Sequence, residues 1–271
     1  MTSVELPIEW PEWRWFNSIS GLVEQIQVKS KDADVRGTEV LYPFLDSVID
    51  SLSSFQFLVR RLALRDAYVI ARVIYETSVN ACFLLTEPEK LSERASTHAK
   101  QKALRNLVRA IELAGTSIFE FKAQGAEELL GNPTHQDWLK EFTSKSGREI
   151  TAWTPENVQQ RLEAVYVKFG HEQTRGLAFG LLMYRNASEI AHGTLFGTLF
   201  SWGAMEPSRP LKSPSDLASF RRSELRHLLK LVSFSLESVV QIIGALVNVP
   251  DIAACATAAR KDYYRDRDAN A

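Results

Sequence analysis

From Glu39 to Arg60 the chain places Val40, Leu41, Phe44, Leu45, Val48, Ile49, Leu52, Phe55 and Leu58 three or four residues apart. That spacing gathers apolar side chains on one face of an α-helix. A second stretch of the same character, Asp66 to Leu85, follows at once with Val69, Ile70, Val73, Ile74, Val79, Phe83 and Leu84. Two long amphipathic helices joined by a short connection bury their stripes against each other as antiparallel neighbours. No segment alternates convincingly at period two, so strands are not needed. The expected fold is all-α, an irregular helical bundle with long antiparallel helices.

The rest of the chain extends this pattern. Thr86-Glu87-Pro88-Glu89 reads as a capping box with proline in the first turn. The helix it opens is expected to reach about Lys122, and its Lys90, Glu93, Arg94, Lys100, Lys102, Arg105 and Arg109 suit a solvated face. Gly125 to Thr154, with Gly131-Asn132-Pro133 and Ser144-Lys145-Ser146-Gly147, reads as an irregular connector carrying one or two short helices. Another helix starts at Thr154-Pro155-Glu156-Asn157, and the next runs from Gln173 to about Gly193. After Pro207 to Pro214, Ser215-Asp216 is expected to cap a long helix that ends before Pro250. At the N-terminal end, Trp10, Trp13, Trp15 and Phe16 around Pro7 and Pro11 predict an aromatic strap across the bundle, with a partner-docking arm as the alternative. Ile19 to Val28 then forms a short amphipathic helix and Lys29 to Gly37 a loop. The expected organisation is a strap and short helix over 1–37, a bundle over 38–250, and a helical or partly disordered Ala-rich tail over 251–271.

Composition removes several function classes. Lys+Arg at 32 against Asp+Glu at 33 leaves a net charge of -1, so any contact with nucleic acid depends on a local patch. Cys82 and Cys255 sit among apolar or small residues and predict two buried thiols in a reducing compartment. The first residues lack a basic and then apolar leader pattern, and Leu228 to Val249 is broken by Lys230, Glu237, Gln241 and Asn248. The expectation is a cytoplasmic protein without a membrane span. There is no phosphate-binding glycine loop, no H-E-x-x-H and no G-x-S-x-G elbow. His98, His135, His171, His192 and His227 are too dispersed to propose a metal cluster, so neither metal nor cofactor is expected.

The chemistry concentrates in Tyr184-Arg185-Asn186-Ala187-Ser188-Glu189-Ile190-Ala191-His192. Arg185 and His192 stand close to two helical turns apart and share a face, with Ser188 between them. A neutral imidazole takes the proton of an RNA 2'-hydroxyl, and a guanidinium stabilises the charge that builds on phosphorus, so the pair suits metal-independent RNA cleavage. The alternative is a structural polar cluster. Spacing alone is weak, because about one Arg-x(4 to 6)-His match is expected by chance in a chain this long. Arg222 and His227 supply such a second match near the start of a charged helix. Asn186 directly after Arg185, and the small Ala187, Ser188 and Ala191, favour the first one by permitting another helix to approach.

Arg185-Asn186 followed by five residues and His192 resembles the signature of HEPN domains, over one helix. The resemblance implies a HEPN-like helical core, a homodimer in which Arg185 and His192 of two subunits meet on RNA, and a setting in phage defence or a toxin system. It also leaves room for a noncatalytic interaction or regulatory module, with the Trp-rich arm contacting a protein partner. A second resemblance spans roughly residues 60 to 200. Arg72 to Glu76, Leu84 to Pro88 and Tyr184 to Gly193 are similar to an uncharacterised helical family with an Arg-x3-Glu helix and a later Tyr-x3-Ser-x3-His helix. That resemblance implies that Arg72, Glu76, Tyr184, Ser188 and His192 belong together, with Arg72 and Glu76 as an ion pair orienting Arg185 or His192.

Overall fold

The computed structural model of the chain describes residues 10–31, 38–204, 213–249 and 251–269. Its helices are α1 (Pro11–Ser30), α2 (Thr38–Arg60), α3 (Leu64–Leu84), α4 (Pro88–Asn106), α5 (Ala126–Gly131), α6 (Pro133–Glu141), α7 (Val158–Phe169), α8 (His171–Ala191), α9 (Leu195–Ser201), α10 (Pro214–Leu246) and α11 (Ile252–Ala269). One small sheet accompanies them, β1 (Val108–Leu113) with β2 (Thr116–Lys122). The chain is thus mainly α-helical and divides into two compact units, residues 87–157 and the remainder.

The larger unit is organised around α3, α8 and α10, each packed against the other two. α2 lies antiparallel on α3, joined through Leu62, whose positive φ of 55° lets Ala63 donate back to the Leu58 carbonyl. Leu41, Leu45, Val48, Leu52 and Phe55 of the expected stripe are buried, whereas Phe57 points outward. α10 is long and apolar enough to cross a membrane by composition, but 72% of its most apolar window is buried inside the protein. Its N-cap is Ser213, whose hydroxyl accepts from the Asp216 amide, not Ser215-Asp216. The expected Pro207 to Pro214 connector lies largely outside the described residues.

Trp10 to Phe16 is not a strap. Pro11 stands at the first helical position, where its missing N–H costs nothing, and α1 runs unbroken to Ser30. Trp15, 2% exposed, stacks on Tyr263 at 4.7 Å between ring centres and meets Phe234 edge-on at 4.7 Å. The aromatic cluster is therefore core, held between α10 and α11. The expected tail is α11, fixed to α1 by Arg14–Asp266 at 2.9 Å and to α10 by Arg260–Glu237 at 3.3 Å. Cys82 is buried as expected, and burial pushes its thiol pKa up; Cys255 is exposed. Part of the expected 29–37 loop belongs to α1, and 32–37 lie outside the described residues.

Residues 87–157 depart furthest from the reading of the sequence. α4 ends at Asn106, and the expected second half of that helix is the β1–β2 hairpin. Ala114 and Gly115, at φ 49° and 79°, form the tight turn, and β-branched and aromatic residues on both sides favour extended chain. Every side chain of the hairpin is exposed, so no buried face imposes apolar and polar alternation. The basic residues of α4 are also internal staples. Arg94 donates to the Trp153 carbonyl at 2.8 Å, His98 Nε2 lies 3.1 Å from the Thr151 carbonyl, and Lys102 pairs with Glu149. Arg105 reaches the Leu139 and Phe142 carbonyls and Thr143 Oγ1. The expected capping box does not form, because Thr86 Oγ1 donates back to the Phe83 carbonyl.

Candidate functional site

α8 carries the motif, and two glycines fix where it sits. A Cβ on Gly176 would stand 2.6 Å from Ser238 Oγ and closer still to the Phe234 carbonyl oxygen. One on Gly180 would stand 2.7 Å from Ser235 Oγ and inside the Tyr75 ring. Only glycine at these positions, four residues apart and so on one face, allows α8 to press against α10 and α3. Ser235 Oγ donates to the Gly176 carbonyl at 3.4 Å, and the Leu177 amide donates to Ser238 Oγ at 3.3 Å, so the contact is polar as well as close. The small residues singled out in the sequence do something else. Ala187 is fully buried in the chain's own core, and Ala191 is exposed.

Arg72, Glu76, Tyr184 and Ser188 meet between α3 and α8. The Tyr184 hydroxyl donates to Glu76 Oε1 at 2.8 Å, and Arg72 Nε lies 3.5 Å from Glu76 Oε2. Arg72 also donates to Ser188 Oγ at 3.4 Å and to the Tyr184 hydroxyl at 3.5 Å, with its guanidinium 5.1 Å from the Tyr184 ring centre. The long Arg72 bonds are weak individually, and the charge-assisted bond from Tyr184 to Glu76 is the firm one. Burial, then the Glu76 carboxylate as acceptor and as charge, raises the Tyr184 pKa, while Arg72 opposes the rise. The cluster is half-buried and polar, and it fixes the rotation of α8 about its axis.

That rotation turns Arg185 and His192 away from the cluster. Both are exposed, and neither side chain has a hydrogen bond or ion pair among the described residues. Arg72 and Glu76 orient Tyr184 and Ser188, not Arg185 or His192. Ala178, Leu182, Arg185 and His192 are exposed along one outward stripe of α8, and the half-buried Ser188 and Glu189 flank the line between Arg185 and His192. Asn186 is half-buried beside it. α8 stops here because Gly193, at φ 65°, takes the left-handed conformation and donates to the Ile190 carbonyl. His192 is therefore the C-cap residue, with Leu195 and Phe196 of α9 exposed just beyond it.

Sequence reasoning missed Gly176, Gly180 and Tyr75, all part of the machinery that seats α8. The available signal was the Gly-x3-Gly spacing, which permits close helix approach. Tyr75 is packed on Gly180 and 5.8 Å from the Tyr184 ring centre, and its buried hydroxyl has no partner among the described residues.

No curated protein and no solved structure matches the chain. A family model does match, over residues 38–204, a span that runs from α2 to the end of α9 and holds the whole Arg72–Tyr184 cluster together with Arg185 and His192. The match covers more than half of the chain, and the protein belongs to that family, the family of unknown function DUF5677.

Proposed function

We propose that the protein is a HEPN-like, metal-independent endoribonuclease. The observation that carries this reading is the outward stripe of α8, where Arg185 and His192 stand exposed and unpaired among the described residues on a helix whose rotation is fixed by half-buried polar contacts. His192 accepts the 2'-hydroxyl proton, the freed oxygen attacks phosphorus, and Arg185 stabilises the negative charge on the phosphorane oxygens. The 5'-oxygen leaves with a proton returned by imidazolium, giving a cyclic phosphate end and a 5'-hydroxyl. Attack and departure occur on opposite sides of phosphorus, so two histidines serve better than one. A homodimer joined along the α8 stripe would supply both, and Leu182, 66% exposed, gives that stripe an apolar contact.

The protein should cleave single-stranded RNA with chelator present and leave cyclic-phosphate ends. Arg185→Ala and His192→Ala should each keep stability within about 0.5 kcal/mol, as exposed substitutions do, and lose cleavage by at least about 100-fold. His227→Ala should cleave normally. A noncatalytic helical interaction module is the second reading, favoured by exposed Leu195 and Phe196 beside His192 and by exposed Trp202 at the end of α9. A parent protein that cuts none of a varied RNA set, and whose self-association is unchanged by Leu182→Asp, would sink both the nuclease and the dimer.

A further inference from the structure

The first half of α10 carries a second polar stripe that faces a concavity. Ser219, Arg222, Ser223, Arg226 and Lys230 recur at steps of three and four and line a cavity of about 520 Å³, closed by the start of α1 and the end of α11. Leu225, Leu228, Leu229 and Val232, on the other side of the same helix, are fully buried. The polar stripe is thus held in place by the core. The volume lies in the range of small-molecule sites.

The charge lining this cavity is one-sided. Arg222, Arg226, Lys230 and Arg267 are cations, and the single carboxylate among the lining residues is Glu12. Glu12 is 3% exposed and is consumed by Arg226, whose Nε and Nη2 donate to its two oxygens at 3.0 and 3.2 Å. Arg267 is held by Asp268 at 2.7 Å. Arg222 and Lys230 have no carboxylate partner among the described residues. They are eight residues apart on α10, which is about 12 Å along the helix axis, with Arg226 between them. One phosphate does not span that distance, whereas a chain of linked phosphates does. Ser219 and Ser223 add hydroxyl donors along the same line. Trp10, with the Arg226 guanidinium 5.5 Å from its ring centre, adds an aromatic wall.

We propose that this cavity binds a small ligand carrying two or more linked phosphates, with Arg222 and Lys230 as its principal contacts and Arg226, preorganised by Glu12, between them. Phosphate oxygens match guanidinium geometry, and two cations that lack a carboxylate partner among the described residues, set in a concave wall, are preorganised for an anion. The Arg222–His227 pair, a chance match by spacing, thereby has a place in the structure: both residues line this cavity.

Calorimetric titration of the full chain with inorganic tripolyphosphate tests the assignment. Binding at one site per chain is expected, at least about tenfold tighter than orthophosphate, and weakened at least about tenfold in an Arg222→Gln/Lys230→Gln variant. Each single variant, checked for a wild-type melting curve, should lose part of that affinity, and Arg185→Ala should lose none. ATP separates the two sources of a phosphate chain. Equal affinity for ATP and tripolyphosphate identifies the chain as the whole ligand, and tighter ATP binding identifies a nucleotide whose base uses the Trp10 wall. No binding, or binding that the double variant leaves unchanged, overturns the proposal.

Discussion

The Tyr184 hydroxyl donates to Glu76 at 2.8 Å across 108 residues of chain, whereas the Tyr75 hydroxyl, one residue before Glu76, is buried without a partner among the described residues. The two phenols therefore respond oppositely to the same substitution. Tyr184→Phe leaves the half-buried Glu76 carboxylate short of a donor and should cost about 1–2 kcal/mol in urea unfolding. Tyr75→Phe removes an unsatisfied group and should be neutral or stabilising. A larger loss for Tyr75→Phe than for Tyr184→Phe would show that the assignment of partners is reversed.

Glycines in this chain divide by what surrounds them. Gly180→Ala forces the Tyr75 ring aside and should cost about 1–3 kcal/mol, the usual penalty of overpacking. Gly176→Ala meets the Phe234 carbonyl, which is backbone and cannot move alone, so its cost should be larger. Gly21, within α1, has nothing within 4 Å of the added carbon, and Gly21→Ala should raise stability by about 0.5–1 kcal/mol. Thermal melts of the three variants rank them directly.

Alkaline pH should unfold the protein. Burial, aided by nearby carboxylates, raises the phenol pKa of Tyr68 and Tyr184, and burial with the Glu12 charge takes Tyr263 to about 12. A phenol with a raised folded pKa keeps its proton while the unfolded chain is already losing it, near pH 10. The stabilisation is complete below that pH and is lost as pH rises through the folded value. Urea midpoints should fall between pH 10 and 12, and Tyr263→Phe should flatten that fall.

Glu237 is 2% exposed, and burial raises its pKa against the opposing charges of Arg260 and Arg175. Arg260→Ala leaves this carboxylate buried without its ion partner and should cost about 3 kcal/mol at neutral pH. Glu237→Gln, which needs no counter-charge, should cost less. Because the folded pKa is raised, the penalty in Arg260→Ala should shrink as pH falls toward 4 and Glu237 takes up its proton. A pH-independent penalty would place the effect in packing instead.

The grouping of Arg72, Glu76, Tyr184 and Ser188 came from the resemblance to the Arg-x3-Glu and Tyr-x3-Ser-x3-His helices, and the two pairs do meet between α3 and α8. The orientation of Arg185 and His192 was not legible, since a seven-residue spacing shows that two side chains share a face without showing which way the face points. The hairpin at Val108–Lys122 was hidden for a different reason. With both of its faces exposed, no buried face imposes a regular period on its sequence, and its marks are the Ala114-Gly115 turn and the β-branched and aromatic residues on either side. α1 was misread because tryptophans and prolines suggested a strap, when Pro11 is the ordinary first residue of a helix. The staples of α4 looked like a solvated face because half of their partners are backbone carbonyls, which have no signature in side-chain pattern.

Trp15 stacks on Tyr263, and Glu12 pairs with Arg226. A ribosome making this chain at about 5–20 residues per second needs roughly ten to fifty seconds to travel from the first aromatic partner to the second. Until α10 and α11 have been made, α1 has neither Phe234 nor Tyr263 to cover Trp15, whereas Phe16 already has Phe55 of α2 beside it. α1 thus completes its packing only once Tyr263 has been made, and the larger unit finishes folding late in the synthesis of these residues.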